Sequence, residues 1–304
     1  MTRDMDIIRL GAEMSELVYP GSELPSPNVR VMTRGGGATF KPYFYVAKNS
    51  NDLIITVRGA AEPGDFLLVL DFTRVDFAGG KAHKGVLEAA RWIIDQARKY
   101  IDECTGKIVC CGHSLGGATS AMIAAVLTLE EKRKNVFAVS IAPFPILTQD
   151  LCQQIEPYVT SFAFRNDVVP KLSAKNTGLI VKSFVPVGSQ NEQAKQMLQG
   201  IAQNVIYGIL QVSGFADQTT IREIQNQLPQ ITDRLIACAS TEEKYEFFLP
   251  GKAYYLNYDQ NGIPYARPYT EQDGIFNISV LMVGISDHGG ENYNDIIYSL
   301  EQLD

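Results

Sequence analysis

The chain has 304 residues, 45% of them hydrophobic and 20% charged, which is enough apolar material for one large or two medium domains and excludes a disordered polymer. Lys+Arg 27 against Asp+Glu 34 gives a net charge of -7, the wrong sign for a protein that lives on phosphate backbones, so nucleic acid is not expected as a main partner. The cysteines Cys104, Cys110, Cys111, Cys152 and Cys238 are odd in number and form no C-x-x-C pair, the pattern of reduced thiols in a cytoplasmic protein.

The opening residues MTRDMDIIRL carry Arg3, Asp4, Asp6 and Arg9 and lack the apolar stretch of a signal peptide. An amphipathic helix is expected from Asp4 to Val18, closed by Tyr19-Pro20-Gly21. Pro25-Ser26-Pro27 and Gly35-Gly36-Gly37 read as surface connections. Tyr43 to Ala47 and Leu53 to Val57 are short β-branched and aromatic runs, expected as neighbouring strands. Between Val86 and Ile101 apolar residues fall at 86, 90, 93, 97 and 101 with charges opposite, a helix with one buried face. Ile108 to Cys111 is a wholly apolar strand candidate, followed after Gly112-His113-Ser114 by a helical run to about Glu131. Its most apolar part, Ala118 to Leu129, is well short of the ~20 residues that span a bilayer. The chain is therefore expected to be soluble, or peripheral to membranes at most.

Val136 to Ile141 and Ser161 to Phe164 continue the strand series. Strands alternating with helices, and apolar throughout, predict a mainly parallel sheet covered on both faces. From 185 to 244 the rhythm breaks into a Gln-rich segment in which Met197, Ile201, Val205 and Ile209 recur every four residues. It is expected as a helical insertion within a single domain spanning 1–304, either a lid or cap over the site or a subdomain packed on the core. Ala253 to Tyr258 and Phe276 to Val283 are the last expected strands, and Tyr293 to Leu300 the last helix.

The sharpest local signal is Gly112-His113-Ser114-Leu115-Gly116-Gly117, a G-x-S-x-G between an apolar strand and a helix. A turn tight enough to push a serine hydroxyl into a cleft leaves no room for Cβ atoms at its flanks. The helix behind it directs its free N–H groups at the place where an oxyanion would form. A serine nucleophile needs a base and an orienting acid, here in the chain order Ser, Asp, His. There are only three histidines. His83 precedes the serine, and His113 sits inside the elbow as a packing residue pointing away from Ser114, which leaves His288. For the acid, Asp167 follows a strand candidate and is pinned by Pro170, whereas Asp150 sits at a polar helix start and Asp287 is adjacent to His288. The N–H of Leu115 and that of Ala60, after the strand ending Val57-Arg-Gly59, are the candidate oxyanion donors.

These segments resemble the class 3 lipases of the α/β-hydrolase fold, and the diacylglycerol lipase-like branch more than the secreted fungal one. The resemblance rests on Val57-Arg-Gly-Ala60, Ala82-His83-Lys-Gly85, Gly112-His-Ser-Leu-Gly-Gly117, Asn166-Asp-Val-Val-Pro170, Phe248-Leu-Pro-Gly251, and Asp287-His288 followed by Tyr293. It implies Ser114 as nucleophile, His288 as base, Asp167 as orienting acid, and Ala60 with Leu115 as oxyanion donors. It further implies ester hydrolysis on acylglycerols, no cofactor or metal, and a lipid or small ester as partner, with transient contact at a membrane or lipid-droplet surface left open. Phospholipase A1 or soluble carboxylesterase activity, or a catalytically silent lipid-binding or interaction module, are the alternatives. Two departures stand out. The family commonly has Thr or Ser where this chain has Ala60, so the hydroxyl that braces the oxyanion hole is missing. The fungal lid segment is reduced to Ala61 through Leu70, whose apolar residues are expected either to line an acyl site or to join the core.

Overall fold

The computed structural model describes residues 4–19, 28–38, 40–69, 71, 73–173, 175–176, 192–212, 218–240, 246–275 and 281–303. Helix α1 (Met5–Leu17) is capped by Asp4, whose carboxylate accepts from the N–H groups of Asp6 at 3.2 Å and Ile7 at 3.3 Å. Three antiparallel strands follow, β1 (Val29–Gly35), β2 (Phe44–Asn49) and β3 (Asp52–Val57). β1 was not expected; it occupies the sheet edge and turns out of the sheet through Gly36 and Gly37, both at positive φ.

Next come α2 (Pro63–Val69), a small hairpin of β4 (Arg74–Phe77) and β5 (Gly80–His83), α3 (Lys84–Glu103), β6 (Ile108–His113) and α4 (Leu115–Ala125). The last turns of the expected long helix, Val126–Glu130, widen into a π-helix. β7 (Val136–Ile141), α5 (Gln149–Ile155) and β8 (Val159–Phe164) continue the parallel centre of the sheet. The chain then forms the helical pair α6 (Glu192–Val212) and α7 (Gln218–Ser240), the strands β9 (Lys252–Tyr258) and β10 (Pro264–Pro268), and the helices α8 (Leu281–Asp287) and α9 (Gly290–Ser299).

The eight strands of the main sheet lie in the order β1-β2-β3-β6-β7-β8-β9-β10. β3, β6, β7, β8 and β9 are parallel and the flanking pairs antiparallel. Strand parity sorts the core onto the two faces. Leu53, Ile55, Val57, Ile108 and Cys110 join α3 and α4 on one side. Ile54, Cys111, Val139, Phe162 and Phe164 join α1 and α9 on the other. Fully apolar strands are the consequence, because both faces are covered.

Three expectations change. Phe276 to Val283 was expected as a strand; 276–280 lie outside the described residues, while 281–283 begin the helix α8, so His288 follows a helix and not a strand. In the insertion, the side of α6 that is buried carries Ala202, Ile206 and Leu210, one position on from the Met197 stripe, and Met197 itself is exposed. The described apolar residues after Ala60 join the core: Phe66, Leu67 and Leu68 on α2 are buried and share a cluster with Ile224, Leu228 and Ile231 of α7, while Leu70 lies outside the described residues. α6 meanwhile packs on α8, where Gly208 abuts Ile285. The helical pair thus rests on α2 with one helix and on α8 with the other. Residues 185–191, 213–217 and 241–244 of the expected insertion lie outside the described residues.

Candidate active site

β6 ends in the elbow, and its glycines have steric causes. A Cβ on Gly116 would stand 2.0 Å from the Val57 carbonyl oxygen, one on Gly112 2.5 Å from the same oxygen, and one on Gly117 2.5 Å from the Ile141 oxygen. The turn is therefore wedged between the carboxyl ends of β3 and β7. Ser114 takes φ 60°, ψ -124° at the N-terminus of α4, a conformation that costs a non-glycine residue ~1–3 kcal/mol and persists only where the surroundings enforce it. They do so here through the Ser114 N–H, which donates to Ile141 at 2.9 Å, and the Ser114 carbonyl, which accepts from Ala118 at 3.0 Å.

Asp167 and His288 are brought together across 121 positions of sequence. The His288 Nδ1–H lies 2.9 Å and 3.0 Å from the two carboxylate oxygens of Asp167, and both residues are buried. Asp167 also accepts from the Val169 N–H at 2.9 Å and from the Tyr293 hydroxyl at 2.5 Å. That tyrosine in turn accepts from the Phe164 N–H at 2.9 Å. Burial first, and then the Asp167 charge, push its hydroxyl well above its ordinary range, so it stays a proton donor to the carboxylate. In the sequence Tyr293 stands out only as a mark of the family resemblance; its contact across the fold leaves no local signal.

A second link joins the same two turns. Asp287 accepts from the Asn166 N–H at 3.1 Å, which gives this carboxylate, considered above as an alternative acid, a tether of its own. His113 does more than fill space. Its Nε2 lies 2.8 Å from the His288 carbonyl oxygen, which can only accept, so the proton sits on Nε2. Burial, then the neighbouring His288, hold the His113 imidazole well below its ordinary pKa and therefore neutral. The two rings lie 4.5 Å apart, so the residue beside Ser114 clamps the turn that carries His288. His83 is remote in role: buried at the start of α3, its Nδ1 accepts from the Val86 N–H at 3.3 Å as a helix cap.

The Nε2 of His288 and the hydroxyl of Ser114 make no hydrogen bond among the described residues, a contact of the kind that tightens when substrate arrives. The N–H groups of Leu115 and Ala60 also have no protein acceptor among the described residues. Ala60 follows Gly59, where an added Cβ would come within 3.4 Å of the Ser114 Cβ, so the loop after β3 abuts the serine. A cavity of about 790 Å³ lies past the acid-bearing turn, between Pro145, Pro170, Phe247 and Tyr269; Ser114 does not line it. Among the described residues no cluster of His, Cys, Asp and Glu could hold a metal ion, and no helix is long and apolar enough to cross a membrane.

A buried serine elbow and a buried Asp–His pair, on turns at the carboxyl edge of a mainly parallel sheet, are the organisation of the α/β-hydrolase fold. The sequence model of the lipase (class 3) family matches residues 54–177, which takes in Ala60, the elbow and Asp167 and stops short of His288. No curated protein sequence matches the chain. Among solved structures, Rhizomucor miehei lipase in its native propeptide complex is similar over 95% of this chain and 81% of its own, at 15% identity and a TM-score of 0.52. A fungal lipase–inhibitor complex is similar over 57% of this chain and 76% of its own, at 19% identity and a TM-score of 0.47. A lipase from Rhizopus microsporus var. chinensis covers 55% and 68%, at 15% identity and a TM-score of 0.47.

Proposed function

We propose that the chain is a serine hydrolase that cleaves carboxylic ester bonds of acylglycerols through an acyl-enzyme on Ser114. The observation that carries this reading is the Asp167–His288 pair, buried and hydrogen-bonded, on the turn that His113 ties to the elbow. Ser114 Oγ attacks the ester carbonyl while His288 Nε2 takes its proton. Asp167 fixes the Nδ1–H tautomer and stabilises the imidazolium that results. The N–H groups of Ala60 and Leu115 hold the tetrahedral oxyanion. Collapse expels the alcohol, protonated by His288, and water activated by the same imidazole releases the carboxylic acid.

The class 3 lipase match supports the ester as substrate, and the helices Glu192–Val212 and Gln218–Ser240 support the diacylglycerol lipase-like branch. Contact with lipid, on this reading, relies on apolar surface, because the chain is acidic. Ser114→Ala should lower hydrolysis of a short-chain chromogenic ester by more than ~10³-fold and end labelling by a fluorophosphonate, with the circular dichroism spectrum unchanged. Turnover equal to wild type in that variant would remove Ser114 from the chemistry. Profiling acyl length and head group separates an acylglycerol lipase from a phospholipase A1 and from a carboxylesterase.

A further inference from the structure

The loop that carries Ala60 is held on both sides of that residue. The Gly59 N–H donates to the Tyr19 hydroxyl at 3.2 Å. The N–H groups of Ala61 and Glu62 both donate to one oxygen of Asp65, each at 3.0 Å. Ala60, between them, is the residue whose N–H is left without a protein acceptor among the described residues. Asp65 lies on α2 and is 2% exposed. Desolvation raises its pKa, opposed by the two N–H donors and by Arg58, whose guanidinium stands 3.9 Å away. Arg58 also reaches Glu62 at 3.2 Å, which closes the turn through its side chains. Tyr19 is anchored by its position: burial pushes its hydroxyl up to about 12, and a Cβ on Gly59 would stand 2.5 Å from that oxygen.

We infer that Asp65 and Tyr19 are positioning residues that aim the Ala60 N–H, supplying from α2 and from the end of α1 the brace that a hydroxyl at position 60 would otherwise provide. The physical reason is preorganisation. An oxyanion donor contributes to the rate only if it already points at the developing charge, and a loop free to rotate its peptide planes would average that dipole away. Fixing the peptide planes on either side of residue 60 leaves that N–H little freedom of its own. An alanine then suffices at position 60, because the bracing falls on its neighbours. This inference rests on the serine hydrolase reading above.

The test uses the whole chain with Asp65→Ala and Tyr19→Phe, assayed on a short-chain ester and with a trifluoromethyl ketone, which adds to the serine and places an oxyanion where the intermediate has one. Asp65→Ala should lower kcat by ~10²-fold with KM changed less than about threefold, and should weaken the trifluoromethyl ketone by the same factor as kcat/KM. Tyr19→Phe, which keeps the shape of the ring, should lower kcat by several-fold in the same proportion to inhibitor binding. Hydrogen exchange at the Ala61 and Glu62 amides should speed up in Asp65→Ala. A kcat within twofold of wild type in both variants overturns the inference, as does a loss confined to KM. If Asp65→Ala does not fold, Tyr19→Phe and its inhibitor constant decide. Absence of any Ser114-dependent turnover in the wild type would instead refute the hydrolase reading, and the amide exchange would still report whether Asp65 braces the loop.

Discussion

Replacing Tyr293 with Phe removes one oxygen atom, and the structure allows its effect to be worked out. That oxygen donates to Asp167 at 2.5 Å and accepts from the Phe164 N–H at 2.9 Å, and all three residues are buried. A hydrogen bond to an ionised group contributes ~1.5–3 kcal/mol, and stranding a buried N–H costs ~1–3 kcal/mol. The sum is about 2.5–6 kcal/mol, and its lower half is the better working figure because β8 can shift slightly to relax Phe164. At about 3 kcal/mol, and ~2–4 °C per kcal/mol for a chain of this size, Tm should fall by roughly 6–12 °C. Asp167 keeps its bonds to Val169 and His288, so the ester assay should show kcat lowered by ~10-fold through loosened orientation, with KM little changed. Differential scanning calorimetry and steady-state kinetics on the same preparation read both effects. A stability loss under ~1 kcal/mol together with an unchanged kcat would mean that the hydroxyl does not support the acid as described.

Gly116→Ala drives a Cβ to 2.0 Å from the Val57 carbonyl oxygen, and backbone on both sides must move, so a loss of about 3 kcal/mol or more in urea unfolding is expected; wild-type stability would show that the elbow has slack. His83 gives a pH prediction: burial lowers its pKa from 6.5 to about 4, so the unfolded chain binds a proton before the folded one does. The stability it contributes is complete above about 6.5 and is lost as pH falls toward 4, at about 1.4 kcal/mol per pH unit. His83→Asn, which keeps a cap for α3, should flatten Tm against pH between 6.5 and 5; an unchanged slope would assign the acid sensitivity elsewhere.

The elbow was legible because backbone crowding selects the residue type: where a Cβ meets a carbonyl oxygen, only glycine fits, and that leaves a mark in one dimension. His288 was legible by count and chain order, and Asp167 by the strand before it and Pro170 after it. The supports around them were not. Tyr293, Tyr19 and His113 act through contacts set by the packing of distant elements, and no local periodicity encodes those; Asp65 bonds N–H groups three and four residues before it, in a turn with no apolar period to mark it. The end of the strand expected at 276–283, where 281–283 are helical, departs for a different cause. A short apolar run has no period of its own, so it suits a buried strand and a buried helix equally. β1 lies at the edge of the main sheet and β4–β5 form a separate two-stranded hairpin, and the weak alternation of each is drowned by neighbouring glycines.

Among the described residues, a buried imidazole nitrogen on His288 and two amide N–H groups, at Ala60 and Leu115, have no protein partner, although most such groups in a folded chain find one. Each hydrogen bond that a bound molecule supplies to such a group contributes ~0.5–1.5 kcal/mol. Whatever completes those hydrogen bonds therefore adds cohesion as well as occupancy. A tetrahedral phosphonate adduct on Ser114 should accordingly raise the melting temperature of the whole domain, although it touches only three turns at one edge of the sheet.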